Sequence, residues 1–326
     1  MLILSAADVR QAAPMPAAID AVAAAFAQLS TGAATVPLRV PIAQPQHDAH
    51  TFFMPAHLAG SGALGLKVVS VFPHNQALHG LPSIHALVVL LDAETGRPVA
   101  AMDGTYLTAL RTGAASGAAT RALARPGARV LALFGAGAQA PAQALAVCAV
   151  RQIERVWVVN RGRARAEALL ATLQATGLAA ELRIADSPAA ALAAADVVCC
   201  ATSAATPLFA DGDLRPGTHI NGVGSFTPAM AEVPPETVGR ARVVVDQRAA
   251  AWAEAGDLIQ ARAAGQLDEG RVAELGEVIA GRAPGRSDAD QITFFKSVGN
   301  AVQDLAVGQL ALAEARRLRL GVEVAL

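Results

Sequence analysis

The stretch Arg129-Val-Leu-Ala-Leu-Phe-Gly-Ala-Gly-Ala-Gln-Ala140 decides the fold of this chain. Its first half is a short apolar run typical of a buried strand, and its second half has the spacing Gly135-x-Gly137-x-x-Ala140. The first glycine permits a tight turn, the second lets the backbone approach a pyrophosphate, and the small third residue permits close packing of helix on strand. The spacing therefore predicts a dinucleotide site with its phosphates at the N-terminus of the next helix. The expected contacts are Gly135, Ala136, Gly137, Ala138 and Gln139. An ordinary glycine turn is the alternative.

Strand-like and helix-like segments alternate along the chain on either side of this turn. The predicted strands are Val130–Phe134, Val156–Asn160, Glu181–Ile184, Val197–Ala201, His219–Val223 and Val243–Asp246. Such alternation is typical of an α/β fold, a Rossmann-type, doubly wound parallel sheet. We assign residues 119–302 to this dinucleotide-binding domain.

The first third of the sequence has a different rhythm. A helix is predicted at Pro16–Leu29, and short β-type runs follow that favour an antiparallel or mixed sheet: Val36–Ile42, Thr51–Met54, Leu64–Phe72, Ile84–Leu91 and Pro98–Met102. At the other end, Phe294–Leu318 predicts one long helix. We expect it to return to the first part, so that residues 1–118 and 303–326 form a second, α+β domain for substrate binding and dimerisation.

The segment after the second predicted strand indicates which nucleotide is bound. An acid at this point favours NAD, because it bonds the ribose 2′-hydroxyl. This chain has Asn160, Arg161 and Arg163 instead, and the arginines could pair with a 2′-phosphate. NADP(H) is therefore favoured and NAD(H) is the alternative, while both arginines could also simply solvate a helix start. Further cofactor contacts are expected at Ala201, Thr202, Val223 and Ser297.

Composition excludes several classes of function. The net charge is −1 with 16% charged residues, which gives no basic surface for nucleic acid. The cysteines Cys148, Cys199 and Cys200 form no C-x-x-C pair, and the seven histidines have no metal-ligand spacing. We therefore expect no disulfide framework and no metal site. The uncharged run Val130–Val150 is broken by glycines and a proline, so we expect a cytoplasmic protein without a membrane segment.

Several segments together resemble the ornithine cyclodeaminase/μ-crystallin family. They are Gly65–Val69, Leu110–Ser116, Gly135–Ala140, His219–Gly224 and Phe295–Gly299, in the family's order and across nearly the whole chain. The resemblance implies a two-domain homodimer that acts on a small amino or imino acid. The family includes ornithine cyclodeaminases, alanine dehydrogenases, cyclic ketimine reductases and NADPH-binding μ-crystallins.

By this resemblance, Arg39, Lys67 and Arg111 match positions that bind the substrate carboxylate, and Ser83 matches a hydroxyl near the substrate. The residue types suit that role, since arginine binds carboxylates through a planar two-pronged contact and lysine supplies a compact charge. Lys67 lies in an apolar β-type run, where burial would lower its pKa and let it donate a proton. Taken alone, Arg39 and Lys67 could also be exposed residues.

One departure from the family pattern separates the possible reactions. Ornithine cyclodeaminases carry an aspartate where this chain has Phe226 and a lysine where it has Met230. Phenylalanine cannot accept a proton, so the deaminating cyclisation loses its base. We predict reduction of a cyclic ketimine carboxylate, Δ1-pyrroline-2-carboxylate or Δ1-piperideine-2-carboxylate. The alternatives are an ornithine cyclodeaminase, a μ-crystallin-like binding protein, and an alanine or imino-acid dehydrogenase.

Overall fold

The structure, a computed structural model, describes residues 1–325. The strands are β1 (Leu2–Leu4), β2 (Ala34–Thr35), β3 (Val40–Gln44), β4 (Ala49–Leu58), β5 (Ala63–Val71), β6 (Ile84–Asp92), β7 (Pro98–Asp103), β8 (Val130–Phe134), β9 (Arg155–Val159), β10 (Glu181–Ile184), β11 (Val197–Cys200), β12 (His219–Gly222), β13 (Arg242–Val245), β14 (Ala273–Glu274), β15 (Thr293–Lys296) and β16 (Val322–Glu323).

The helices are numbered in the same way. They are α1 (Ala6–Ala12), α2 (Met15–Ser30), α3 (Asn75–His79), α4 (Gly104–Leu123), α5 (Ala140–Val150), α6 (Arg163–Ala175), α7 (Pro188–Leu192), α8 (Pro235–Arg240), α9 (Arg248–Glu254), α10 (Gly256–Ala263), α11 (Leu275–Ile279) and α12 (Ala301–Leu318). One-turn 3₁₀ helices lie at Pro45–His47, Asp211–Asp213 and Glu269–Arg271.

The chain forms two compact units. One comprises Met1–Arg111 and Asn300–Leu326, and the other comprises Thr112–Gly299. The sequence-based boundaries lie nearby, after residues 118 and 302, and they stay a prediction.

The first unit is built on a mixed sheet of order β16-β1-β7-β6-β5-β4-β2, with β3 also paired to β4. Neighbouring strands in this sheet pair in antiparallel orientation, except β1 and β7, which pair in parallel. Helix α12 packs on α1, α2 and the strands β4, β5 and β6. The α+β character predicted for this part of the chain is confirmed.

The second unit is a parallel sheet of order β10-β9-β8-β11-β12-β15-β13-β14. Alternate residues of β8 enter different buried clusters: Leu131 and Leu133 face one, and Ala132 and Phe134 face the other. Both faces of the sheet are therefore covered, as the continuous apolar strands require. The predicted Rossmann-type α/β fold is confirmed.

Two predicted elements are wrong in part. The long helix expected from Phe294 begins only at Ala301, because Thr293–Lys296 forms β15 between β12 and β13. Gly299 has a φ of +87° and separates that strand from the helix. The run Val36–Ile42 is not one strand either, since residues 36–39 lie between β2 and β3.

No single helix within residues 1–325 is long and apolar enough to cross a membrane. Helices α1 and α2 meet the criteria of length and composition only together, as a pair bent by 83°.

Candidate active site

The glycine turn after β8 has the conformation expected for a phosphate cradle. Gly135 has a φ of +99°, and a Cβ there would lie 2.5 Å from the carbonyl oxygen of Ala201. Gly137 is exposed, and a Cβ there would meet no atom within 4 Å. Helix α5 begins at Ala140, whose backbone amide donates to the Gly137 carbonyl at 3.0 Å, and its second residue, Pro141, has no amide hydrogen. The turn therefore leaves open space at the positive N-terminal end of α5, where an anionic group can approach.

The segment after β9 contains the residues predicted to select the nucleotide. Asn160 donates its side-chain amide to the Gly162 carbonyl at 2.8 Å, which shapes the turn into α6. Arg163 forms an exposed ion pair with Glu167, one helical turn further on, at 2.9 Å. Arg161 is exposed in the same turn. Of the two arginines, Arg161 is the better candidate to meet a phosphate.

The loops after β11 and β12 are tied together by a buried carboxylate that sequence reasoning missed. Glu232 accepts hydrogen bonds from the backbone and hydroxyl of Thr202 at 2.7 and 2.8 Å. Its other oxygen accepts the backbone amides of Gly224 and Ser225 at 2.8 and 3.1 Å. Burial raises the pKa of Glu232. Because ligands of such sheets bind outside the carboxyl ends of the strands, Glu232 orders the edge where a cofactor is expected.

A second buried carboxylate supports the first. Asp257 accepts the backbone amides of Glu232 and Val233 at 2.6 and 3.0 Å through one oxygen. Its other oxygen lies 2.9 Å from the amine of Lys296, and both side chains are fully buried.

Two further predicted cofactor contacts lie near the same strand ends. The backbone amide of Val223 donates to the Cys200 carbonyl at 2.9 Å. The hydroxyl of Ser297 donates to Asp246 at 2.7 Å, and this carboxylate also accepts the amides of Val298 and Gly299. Burial raises the pKa of Asp246. The Ser297 hydroxyl thus has a structural partner already, and its contact with a cofactor stays a prediction.

The first unit brings two of the predicted carboxylate ligands together around a residue that the sequence did not reveal. Asp304, fully buried in the first turn of α12, lies 3.0 and 2.9 Å from the amine of Lys67. One of its oxygens also lies 3.0 Å from Nε of Arg111. The two cationic nitrogens share this oxygen and are therefore within 6 Å of each other. Arg111 also donates to Gln303.

The charge of Lys67 is set by opposing effects. Burial and the positive charge of Arg111 lower its pKa from 10.5 to about 8, and Arg39 acts in the same direction. The carboxylate of Asp304 raises the pKa and partly offsets them. The lowered pKa expected from burial is thus present, while a role for Lys67 in proton donation stays a proposal.

The remaining predicted residues lie outside the buried group of Lys67, Arg111 and Asp304 and make weaker contacts. The guanidinium of Arg39 lies over the ring of Phe52, 4.9 Å from its centroid. The Ser83 hydroxyl has a long contact of 3.5 Å to the Pro73 carbonyl. Phe226 is half-buried against an apolar cluster of the second unit. Among residues 1–325 there is no group of three or more His, Cys, Asp or Glu that could hold a metal ion.

Comparison with known proteins gives the family. The model of the ornithine cyclodeaminase/mu-crystallin family matches residues 1–316. The chain belongs to this family. It is 38% identical over 328 residues to a Δ1-pyrroline-2-carboxylate reductase of Bacillus cereus, with 99% of each protein covered. The resemblance inferred from the sequence segments is confirmed.

Two solved structures of similar proteins extend the comparison. The Δ1-pyrroline-2-carboxylate reductase of Thermococcus litoralis, in complex with NADH and L-proline, is 40% identical with a TM-score of 0.95. The alignment covers 99% of this chain and 100% of that one. An archaeal alanine dehydrogenase dimer with bound NAD is 33% identical with a TM-score of 0.92. That alignment covers 100% of this chain and 99% of the dehydrogenase chain. This member of the family thus keeps the full length and fold of proteins that bind nicotinamide nucleotides.

Proposed function

We propose that this family member reduces a cyclic ketimine carboxylate with NAD(P)H, converting Δ1-pyrroline-2-carboxylate or Δ1-piperideine-2-carboxylate to proline or pipecolate. The observation that carries the proposal is the full-length likeness to the Thermococcus reductase in complex with NADH and L-proline. The buried cations of the first unit supply the chemistry that such a substrate needs.

The carboxylate is the group of a small ring imine that a protein can bind most strongly. Lys67 and Arg111 place two positive charges around the one carboxylate of Asp304, so positive charge is in excess there, and Arg39 also acts electrostatically on Lys67. Buried charge attracts a counter-ion strongly, because little water screens it. Arg111 would hold the carboxylate through its planar guanidinium. Lys67, with a pKa of about 8, is protonated at neutral pH and would give its proton to the ring nitrogen.

A nicotinamide dinucleotide fits the turn that begins at Gly135. The open space at Gly137 leaves room for a pyrophosphate, and the backbone amides of Ala138 and Gln139 in the turn before α5 would donate to its oxygens. When bound, the reduced nicotinamide supplies the hydride for the imine carbon. The loops ordered by Glu232 would line the nicotinamide end and keep water out.

NADP(H) is the preferred nucleotide in this proposal. Arg161 is exposed at the end of β9, and the turn through Asn160 and Gly162 carries no carboxylate to repel a 2′-phosphate. Arg163 contributes less, because Glu167 already pairs with it.

Phe226 favours reduction over deaminating cyclisation. Its ring packs on apolar neighbours, which suits the methylenes of a ring substrate. It offers no base for removing a proton from a side-chain amine.

We also propose that the enzyme is a homodimer, with an apolar face of the first unit's sheet as its interface. In register across β4, β5 and β6 lie Phe53, Val68 and Leu87 on the face opposite the buried Lys67. Leu87 is 46% exposed and Ile42 of β3 is 51% exposed. Open apolar faces of this kind mark association surfaces. Leu87→Asp should shift the mass measured by light scattering toward the monomer, and an unchanged mass would exclude this face.

The test is a substrate assay with each nucleotide. Oxidation of NADPH and of NADH is followed by absorbance with the two ring imines, and with pyruvate plus ammonia as the open-chain alternative. Ammonia release from ornithine without added reductant is measured separately. Reduction of a ring imine at the highest kcat/KM supports the proposal. Ammonia release from ornithine as the main activity, or a preference for pyruvate, would overturn it.

A further inference from the structure

Lysine occurs at only two positions of this chain. Lysine and arginine together number 26, and all except Lys67 and Lys296 are arginine. Both lysines are buried, with 1% and 0% of the residue exposed, and each lies 2.9 Å from an aspartate oxygen. The chain thus uses arginine for its exposed cations and lysine only where a compact, titratable amine is enclosed.

The partner of Lys67 comes from the start of α12, whose first turn is fixed by its own cap. Asn300 accepts the amide of Val302 at 3.0 Å, and Gln303 completes a capping box. The next residue, Asp304, is fully buried and contacts both Lys67 and Arg111. Gln303 accepts a hydrogen bond from Arg111 as well. One helical turn therefore holds the amine and the guanidinium in a single arrangement.

We propose that Asp304 is a positioning residue of the reduction: it orients Lys67 and Arg111 and stabilises the ammonium form of Lys67, which gives its proton to the ring nitrogen. The inference rests on the proposed function for the identity of the proton acceptor. The contacts of Asp304 with Lys67 and Arg111 do not depend on it.

The need for Asp304 follows from the charges that surround Lys67. Burial, Arg111 and Arg39 all disfavour the ammonium, and Asp304 is the carboxylate that opposes them. Without that negative charge, the amine would lose its proton nearer neutral pH and could no longer act as a donor. A long lysine side chain would also gain rotamer freedom without its partner.

The first experiment reads the protonation of Lys67 directly. Protein labelled with ¹³C at lysine Cε gives two signals, which Lys67→Arg and Lys296→Arg variants assign. Each signal is titrated in the wild type and in Asp304→Asn, which keeps the size of the side chain and removes its charge. We expect the titration midpoint of Lys67 to fall by about one pH unit or more, since that is the usual effect of an adjacent opposite charge. The Lys296 signal is the internal control, because the partner of that amine is Asp257 and not Asp304.

The second experiment reads the reaction. The decline of kcat/KM at alkaline pH should shift in Asp304→Asn by the same amount as the Lys67 midpoint, with NAD(P)H affinity unchanged. Asp304→Glu keeps the charge but displaces it, so its pH profile should stay near that of the wild type while kcat falls at least ~10-fold.

An Asn variant that is less active by the same factor at every pH, with the Lys67 titration unmoved, would show that Asp304 is only structural. If Asp304→Asn does not fold, Asp304→Glu still decides, because wild-type kcat in that variant overturns the positioning role. If the wild type reduces neither ring imine, the proposed function fails. The effect of Asp304 on Lys67 would still be tested, because the lysine titration needs no substrate.

Discussion

The two glycines of the turn after β8 should fail in different ways when they are replaced by alanine. In Gly135→Ala, the new Cβ would lie 2.5 Å from the Ala201 carbonyl oxygen and 3.1 Å from Cγ2 of Thr202. Backbone must move to relieve the first contact. The residue would also have to keep a φ of +99°, which L side chains rarely adopt. In Gly137→Ala the new methyl meets nothing within 4 Å, and φ is not positive.

The magnitudes follow from these contacts. A positive φ costs about 1–2 kcal/mol in an L residue, and overpacking of a filled site typically costs about 1–3 kcal/mol. Gly135→Ala should therefore lose roughly 2–5 kcal/mol. An unfolding entropy of about 2.1 cal/mol/K per residue gives about 0.7 kcal/mol/K for 326 residues, so Tm should fall by roughly 3–7 °C. Gly137→Ala should stay within about 0.5 kcal/mol of the wild type. Its methyl stands where a pyrophosphate would approach, so Kd for NADPH should rise roughly 10- to 100-fold.

Thermal unfolding and fluorescence titration with NADPH measure both effects. The pair is informative because each variant is the control for the other: one adds a methyl in a crowded place and one in an open place. A Gly137→Ala protein that binds NADPH as tightly as the wild type would refute the cradle. A Gly135→Ala protein of unchanged Tm would refute the steric argument.

Two substitutions and one pH profile test the remaining parts of the site. Arg111→Ala should reduce kcat/KM for the imine at least ~100-fold, because a buried carboxylate contact is lost, with little change in NADPH affinity; equal loss of both would show a structural role. Arg161→Asp should lower the ratio of kcat/KM with NADPH to kcat/KM with NADH, whereas the exposed control Arg165→Ala should leave it unchanged. An unchanged ratio in Arg161→Asp would remove the argument for NADP(H). In the wild type, kcat/KM should fall as pH rises through about 8, the pKa of Lys67, and a flat profile there would exclude Lys67 as the donor.

The sequence predicted the parts of the fold that depend on local chemistry. The run from Arg129 to Ala140 combines a buried strand, a turn that needs glycine and a helix start, and each of these is encoded by neighbouring residues. The strand β15 was missed for the opposite reason. Its central residues, Phe294 and Phe295, are apolar and lie close to a helix in the chain. Only pairing with β12 and β13 shows that they are extended.

The cationic residues of the site could be predicted from the sequence, but its carboxylates could not. Lys67 and Arg111 stood out because charged residues are unusual within apolar or small-residue segments. Asp304 lies 237 residues from Lys67 in the chain, in a helix where an acid near the N-terminus is ordinary. Glu232 likewise acts on backbone amides of residues 202, 224 and 225, so no spacing reveals it. Such partners are set by tertiary packing alone.

Because both lysines are buried, chemical modification of their amines reports local unfolding of this protein. Lys67 belongs to one compact unit and Lys296 to the other. An acylating reagent such as a succinimidyl ester can modify either side chain only when its surroundings come apart. Mass spectrometry of arginine-cleaved peptides would then time the exposure of each amine. The two halves of the molecule can thus be compared for local unfolding without adding a probe.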